Sequence, residues 1–304
     1  MKFIENKNKF FIASLVVIAI GLLTMCFNGF TGKGAFEQDI EFKGGSLIQV
    51  NIEQKLTGTI KEELVELTKE ITGDANPRIT AADNTDVIIT MTRADADSRI
   101  KLFEAIKEKY NLKDDQARAD SDVSPSISGE IKLGALKAVV LGAVLILIYI
   151  SFRFKDFKFG ASAVIALMHD VLIMLAVYSV FRIPLNNSFI AAMLTIVGYS
   201  INDTIIIFDR IRENKGKMIT DHIDIINTSI NQTLSRSIYT SLTTLIMIVL
   251  LFILGADSVK QFAFPLIIGI VAGTYSSIFI ASPLWYIMSK SKKNKKKNGK
   301  PKTA

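Results

Sequence analysis

The chain has one cysteine, Cys26, in 304 residues, so no disulfide can form within it and nothing follows about redox compartment. Two histidines are too few for a histidine-based metal centre. No glycine-rich loop ends in the lysine and hydroxyl of a phosphate-binding motif. The sequence therefore offers no arrangement for hydrolysis, and it is read as a non-enzyme that needs no cofactor. Charge is scarce as well, at 21% of residues, with a mean hydropathy of +0.34.

That scarcity is distributed in runs. Phe10 to Phe30 and Phe262 to Met288 carry no charged residue. About 20 apolar residues cross a hydrocarbon core, so each run is long enough for a membrane-spanning helix. Four further spans are less clean, at Leu133–Phe152, Phe159–Phe181, Ile183–Phe208 and Ile238–Leu254. The expectation is a polytopic α-helical membrane protein with six transmembrane helices. Lys2, Lys7 and Lys9 precede the first run as in a signal peptide. The run is long for a signal sequence and Asn28-Gly29-Phe30 lacks a small-x-small cleavage site, so it reads as an uncleaved anchor.

The net charge of +7 conceals a split: residues 31–131 hold 13 Lys/Arg against 20 Asp/Glu, and the remainder holds 23 against 9. An acidic soluble segment is set into a basic membrane protein. Cytoplasmic lysines account for the pI near 9.3, and no nucleic acid need be invoked. With six helices, Arg153, Lys155 and Lys158, then Arg210, Arg212, Lys215 and Lys217, share the side of the N-terminal lysines. The short loops opposite hold Arg182 and Lys260 alone. Both termini are therefore expected in the cytoplasm, with 31–131 outside. The divisions expected are 1–30 (N-terminus and first helix), 31–131, 132–289 (the five-helix remainder) and 290–304. That last stretch is lysine-rich and reads as a disordered tail near anionic membrane lipids, each lysine contributing about 1 kcal/mol.

In the acidic segment Ile48, Val50 and Ile52 alternate with polar residues, as on a half-buried strand. Ile60, Leu64, Leu67 and Ile71 stripe one helix, with Thr59 and Glu62 at capping-box spacing. Val87–Thr92 is a second strand, and Ile100, Phe103, Ile106 and Tyr110 mark a second helix. With weaker strands at Arg78–Ala81 and Ala117–Val123, the pattern predicts a small extracytoplasmic α+β domain, ferredoxin-like, of order βαββαβ. Ser124 to Gly129 has the composition of a linker, on which that domain would swing or which simply connects it.

Functional candidates are polar groups among the apolar runs. Asp203 sits in Gly198-Tyr199-Ser200-Ile201-Asn202-Asp203-Thr204, roughly 8 Å inside the cytoplasmic boundary by helical rise. A carboxylate at mid-helix costs about 2.5–3.5 kcal/mol on insertion scales, so it faces protein or water. Tyr199 and Ser200 share its face and Asn202 precedes it, so hydroxyls and an amide can hold water or relay a proton. The alternative is a structural contact to a neighbouring helix. Arg236, opening the fifth run, is either an interfacial anchor or a guanidinium within reach of Asp203. His169 and Asp170 lie deeper. Adjacent helical residues point about 100° apart, so the two are expected to face different surroundings. Gly269 and Gly273 allow a close helix contact, and Pro265 and Pro283 can kink the last helix.

These residues carry a resemblance. Glu41-Phe42-Lys43-Gly44-Gly45-Ser46, Tyr149-Ile150-Ser151-Phe152-Arg153-Phe154, His169-Asp170-Val171, the run from Gly198 through Asn214, and Gln232 to Ser237 are similar to motifs of the SecD/SecF protein-export family. Lys43 and Ser46 depart conservatively from the first motif. The resemblance implies a SecF-like half of a twelve-helix assembly in the bacterial cytoplasmic membrane, related to the resistance–nodulation–division (RND) transporters. It implies SecD as partner, association with the SecYEG channel and often YajC, and contact with an unfolded polypeptide in transit. It implies that proton-motive force drives export, with protons as coupling ion and Asp203 and Arg236 in the coupling set, completed by an aspartate of SecD. Thr204, with Asn202, Tyr199, Ser200, His169 and Asp170, is a supporting polar residue. Two other readings stay open: half of a small-molecule proton antiporter, and a translocon scaffold that transports nothing.

Overall fold

The computed structural model describes residues 2–81, 85–92, 94–113, 117–123, 125–218 and 220–298, with side chains of 117–123, 125–126, 257–258 and 291–298 outside that description. Six helices are long and apolar enough to cross a membrane. They are α1 (Lys7–Phe30), α5 (Pro125–Phe154), α6 (Phe157–Val180), α7 (Asn187–Lys217), α8 (His222–Leu254) and a composite of α9 (Asp257–Ser276) and α10 (Ser282–Asn298). A five-residue π-helical turn, Ser277–Ala281, joins the last two. Pro283 explains its place. A proline offers no N–H and its ring crowds the carbonyl four residues back, so the turn before it widens. The Ser282 hydroxyl donates to the Ser277 carbonyl at 3.2 Å across the widened turn. The lysine-rich end is helical through Asn298, where a disordered tail was expected; residues 299–304 lie outside the described ones.

Two helices run well beyond their apolar stretches. α8 begins at His222, so Arg236 does not open the helix but lies within it. The added turns are polar yet satisfied. Ser229 and Thr233 donate to carbonyls four residues back, at 2.7 and 3.0 Å, and Asn214 of α7 donates to Ser229 at 2.9 Å. The Asn227 side-chain Oδ1 accepts from Phe3 N and Ile4 N, at 2.9 and 3.1 Å, tying the N-terminus to α8.

Packing in the membrane half is uneven. About 56% of the α6 span and 61% of the α9–α10 span are buried, against 11%, 6% and 11% for α1, α5 and α8. α9 lies against α7 through Gly269 and Gly273. A Cβ on Gly273 would sit 2.8 Å from Ser200 Cβ, so a larger residue there forces the helices apart.

Between α1 and α5, strands β1 (Gly45–Asn51), β2 (Arg78–Ala81), β3 (Asp86–Met91) and β4 (Ala117–Val123) alternate with α3 (Gly58–Thr72) and α4 (Ala96–Tyr110) in the order βαββαβ. The sheet order is β2-β3-β1-β4, every pairing antiparallel. Inward residues of β1 and β3 meet Leu64, Leu102 and Ile106 of the helices in one apolar core. α3 starts two residues earlier than its capping-box spacing suggested. Thr57 rather than Thr59 is the N-cap, its hydroxyl accepting from Ile60 N at 3.4 Å. At the end of α4, Tyr110 donates to Glu63 at 3.3 Å, and partial burial with the adjacent carboxylate pushes its hydroxyl up to about 12.

The expected linker is largely helix. Pro125 stands at the first position of α5, where its missing N–H is no loss, and Ile127 to Gly129 continue the helix. Ser124 lies outside the described residues. A different segment fastens the two halves. Residues 33–41, leading to the short helix α2 (Ile40–Lys43), lie along the α6–α7 loop. Asp39 N donates to Leu185 O and Leu185 N to Glu37 O, both at 3.0 Å. Arg182 donates to the carbonyls of Gly34 and Lys33 at 2.8 and 2.9 Å and to the Glu37 carboxylate at 2.6 Å. Gly44 and Gly45, with φ +78° and +149°, turn this strap into β1; a Cβ on Gly45 would lie 2.5 Å from Met91 O.

Candidate functional site: two buried carboxylates in the membrane helices

Asp203 points inward from α7 and is 3% exposed. Its Oδ2 accepts one hydrogen bond, from Ser241 Oγ of α8 at 3.3 Å. Thr274 Oγ1 of α9 donates to that same Ser241 Oγ at 2.7 Å. Ser237, one turn before Ser241 on the same face, is buried and also faces Asp203, though without a hydrogen bond of good geometry among the described residues.

Arg236 does not pair with Asp203. It is exposed, and among the described residues it has no ion-pair partner. Its side chain instead lines a polar cleft of about 780 Å³ between the C-terminal parts of α5 and α7 and the N-terminal half of α8, with Arg153, Asp209, Arg212 and Gln232. There Asp209 pairs with Arg212 at 3.1 Å and Arg153 at 3.4 Å, and Glu213 with Arg210 at 2.6 Å. Four arginines thus face two carboxylates, and the cleft is left cationic.

The second carboxylate is Asp170 of α6, 1% exposed. Its Oδ2 accepts from Ser200 Oγ of α7 at 2.7 Å and Ser276 Oγ of α9 at 2.9 Å. Its Oδ1 lies 3.0 Å from His169 Nδ1, and His169 Nε2 lies 3.0 Å from Ser14 Oγ of α1. The expectation that His169 and Asp170 face different surroundings is therefore wrong. Their backbone directions diverge, but both side chains are long enough to bend together and both are buried.

The supporting residues divide between these centres. Ser200 serves Asp170, although it lies one turn from Asp203. Thr204 Oγ1 is 2.8 Å from Ser277 Oγ, which donates to the Ser200 carbonyl at 3.2 Å. The Tyr199 hydroxyl donates to Thr244 Oγ1 at 3.1 Å, bracing α7 on α8. Asn202 is exposed on α7. Sequence reasoning missed Ser14, Ser237, Ser241, Thr274, Ser276 and Ser277. The signal available was the polar run Gly273-Thr274-Tyr275-Ser276-Ser277 inside an apolar helix.

Comparison with known proteins gives the arrangement a family. Residues 103–291 match the family "Protein export membrane protein SecD/SecF, C-terminal". The chain is 37% identical to the protein translocase subunit SecF of Sebaldella termitidis, over 99% of this chain and 96% of that one. It is 34% identical to the protein translocase subunit SecDF of Bacillus subtilis, over 93% of this chain but 37% of that one. The crystal structure of SecDF, a translocon-associated membrane protein from Thermus thermophilus, superimposes with a TM-score of 0.82 at 33% identity, over 95% of this chain and 39% of the other. The chain thus spans about two fifths of those SecDF chains. By the matched model and the near full-length relatives, the chain belongs to the SecD/SecF family of protein-export membrane proteins, as a multi-pass subunit of SecF type in Sec protein export.

Proposed function

We propose that the chain couples proton movement to protein export, with Asp203 as the group that takes up and releases the proton. The observation that carries this reading is the incompleteness of the Asp203 site. Among the described residues this buried carboxylate holds one long hydrogen bond, beside a serine that makes none of good geometry and an exposed arginine in no ion pair. Such a half-furnished site is costly to keep unless a further group completes it. Fusion of a SecD-like part to the matching region in the SecDF relatives points to a SecD chain as the source, seated on the thinly packed side that carries α8 and Arg236.

In this reading the membrane is the bacterial cytoplasmic one and both termini face the cytoplasm, as the Lys/Arg distribution favours. The βαββαβ domain, with its ferredoxin-like strand order, lies outside, where it meets the emerging polypeptide; SecYEG and YajC are the expected neighbours. A proton crossing down the gradient yields about 2.3 kcal/mol per 100 mV. Protonation removes the Asp203 charge and changes what Arg236 and the completing group can pair with. The resulting shift of α7 and α8 reaches the outer domain through α5 and the strap at residues 33–41.

The test is Asp203→Asn, which keeps a hydrogen-bond acceptor for Ser241 but cannot ionise. Export of a secretory precursor is measured in membrane vesicles with and without an imposed proton gradient, alongside the amount of assembled complex. Loss of gradient stimulation with assembly intact is expected. Full stimulation in that variant overturns the reading and favours a scaffold.

A further inference from the structure

The two carboxylates belong to one circuit, made of four side-chain hydrogen bonds and two short stretches of helix backbone. Asp170 binds Ser200 of α7 at 2.7 Å, and Ser200 lies one turn before Asp203 on the same face. Asp203 binds Ser241 of α8 at 3.3 Å, and Ser241 accepts from Thr274 of α9 at 2.7 Å. Thr274 precedes Ser276 by two residues, roughly 200° around the helix, and Ser276 returns to Asp170 at 2.9 Å. One side of α9 thus meets Asp170 while the other meets the partner of Asp203.

From this closure we infer that Asp170 is a positioning residue for Asp203. By holding Ser200 and Ser276 on a single oxygen, it fixes the rotation of α7 and α9 about each other. That rotation sets whether Asp203 and the Ser241–Thr274 pair face one another. Gly273, pressed against Ser200, and the π-helical turn after Ser276 frame the same contact. A π-helical turn is a feature that recurs at functional sites, and here it lies where α9 would be re-registered. The His169–Ser14 leg ties the circuit to α1. Titratable groups facing Asp170 are His169 beside it and Tyr275 of α9, whose ring stacks 6.1 Å from that of His169; α1 and α7 present the hydroxyls of Ser14 and Ser200. α5 meets α6 at Gly160 and also brings apolar Val139 and Ile146 against the cluster that holds Leu167 and Val171, whereas α10 meets α6 at Phe159, about 15 Å along the helix from Asp170. The inference rests on the proton-coupling reading of Asp203.

The experiment uses the full-length chain in its assembled complex, in vesicles, and follows gradient-stimulated export against pH. Asp170→Asn and Ser276→Ala are each expected to move the pH of half-maximal stimulation by about half a unit or more. A merely structural role would scale the whole profile with the amount of complex and leave its midpoint in place. Combining Ser276→Ala with Ser241→Ala is expected to cost less than the two single losses together, because both break one circuit. Additive losses, or an unmoved midpoint in Ser276→Ala with the complex assembled, overturn the inference. If Asp203→Asn abolishes gradient stimulation while both other variants keep the parental profile, the positioning role alone fails. If Asp203→Asn itself keeps full stimulation, the proton reading fails first.

Discussion

Asp170 and Asp203 lie in adjacent helices, both almost without solvent exposure, yet they are furnished in opposite ways. Asp170 has two hydroxyls and an imidazole, drawn from α6, α7 and α9, and the imidazole is held in turn by α1. Asp203 has one hydroxyl at 3.3 Å, with a serine that makes no bond of good geometry and an arginine in no ion pair among the described residues. The difference follows the packing. Asp170 belongs to α6, among the most enclosed helices of the chain, whereas Asp203 faces α8, whose outer side is open. A polar group completed within its own chain is a fixture, and one left incomplete waits for another molecule.

Alanine at each position gives the largest expected contrast. Asp170→Ala strands the Ser200 hydroxyl in a buried site and takes one bond each from Ser276, which keeps the Gly273 carbonyl, and His169, which keeps Ser14, at about 2–4 kcal/mol. Asp203→Ala frees one weakly held hydroxyl and relieves a buried acid, and is expected to cost under about 1 kcal/mol. Thermal unfolding in detergent, read as the fraction of monodisperse protein after heating, checks the order. Equal losses would mean the two sites are furnished alike. Gly273→Ala comes next, because its Cβ would meet Ser200 in the contact that both sites share. Overpacking of this kind costs about 1–3 kcal/mol. It should also impair gradient-stimulated export, whereas Gly142→Ala, where a Cβ meets nothing within 4 Å, should leave both measurements unchanged.

The sequence made half of this comparison readable. Runs of about 20 residues with little charge have few structural outcomes, so all six spans could be placed, and the alternation in β1 and β3 led to the βαββαβ fold. Helix ends were less legible. The polar turns from His222 to Ser237 are compatible with helix and with loop alike, and what makes them helix is bonding to Asn214 and to the N-terminus. Thr57 and Thr59 both have capping chemistry, and which one caps depends on where α3 is laid against the sheet. Ser124 to Gly129 looked like a linker by composition, but proline at a first helical position favours the helix it seemed to forbid. Within the site, Asp203 stood out by cost alone. Its partners did not, because serine and threonine recur along these helices and the rotation of α9 decides which of them meets a carboxylate.

The smallest effect expected tests whether the Asp170 side is also the fixed side in a mechanical sense. Arg182 follows α6 directly and holds three oxygens of the strap at Gly34, Lys33 and Glu37. The pair is partly exposed, with side-chain exposures of 30% and 38%, so its charge contributes modestly and is screened by salt. Arg182→Gln is expected to cost about 0.5–1 kcal/mol of stability. The informative readout is amide hydrogen exchange. Residues 37–41 bond to the α6–α7 loop through backbone groups that the substitution leaves in place. Faster exchange at Asp39 and Leu185 would follow if Arg182 clamps the strap shut, because their N–H groups are the ones paired across it. Exchange unchanged there, with export also unchanged, would mean that backbone pairing alone holds the βαββαβ domain to α6. Asp170 would then sit on a rigid side without help from charge, and the contrast with Asp203 would rest on packing alone.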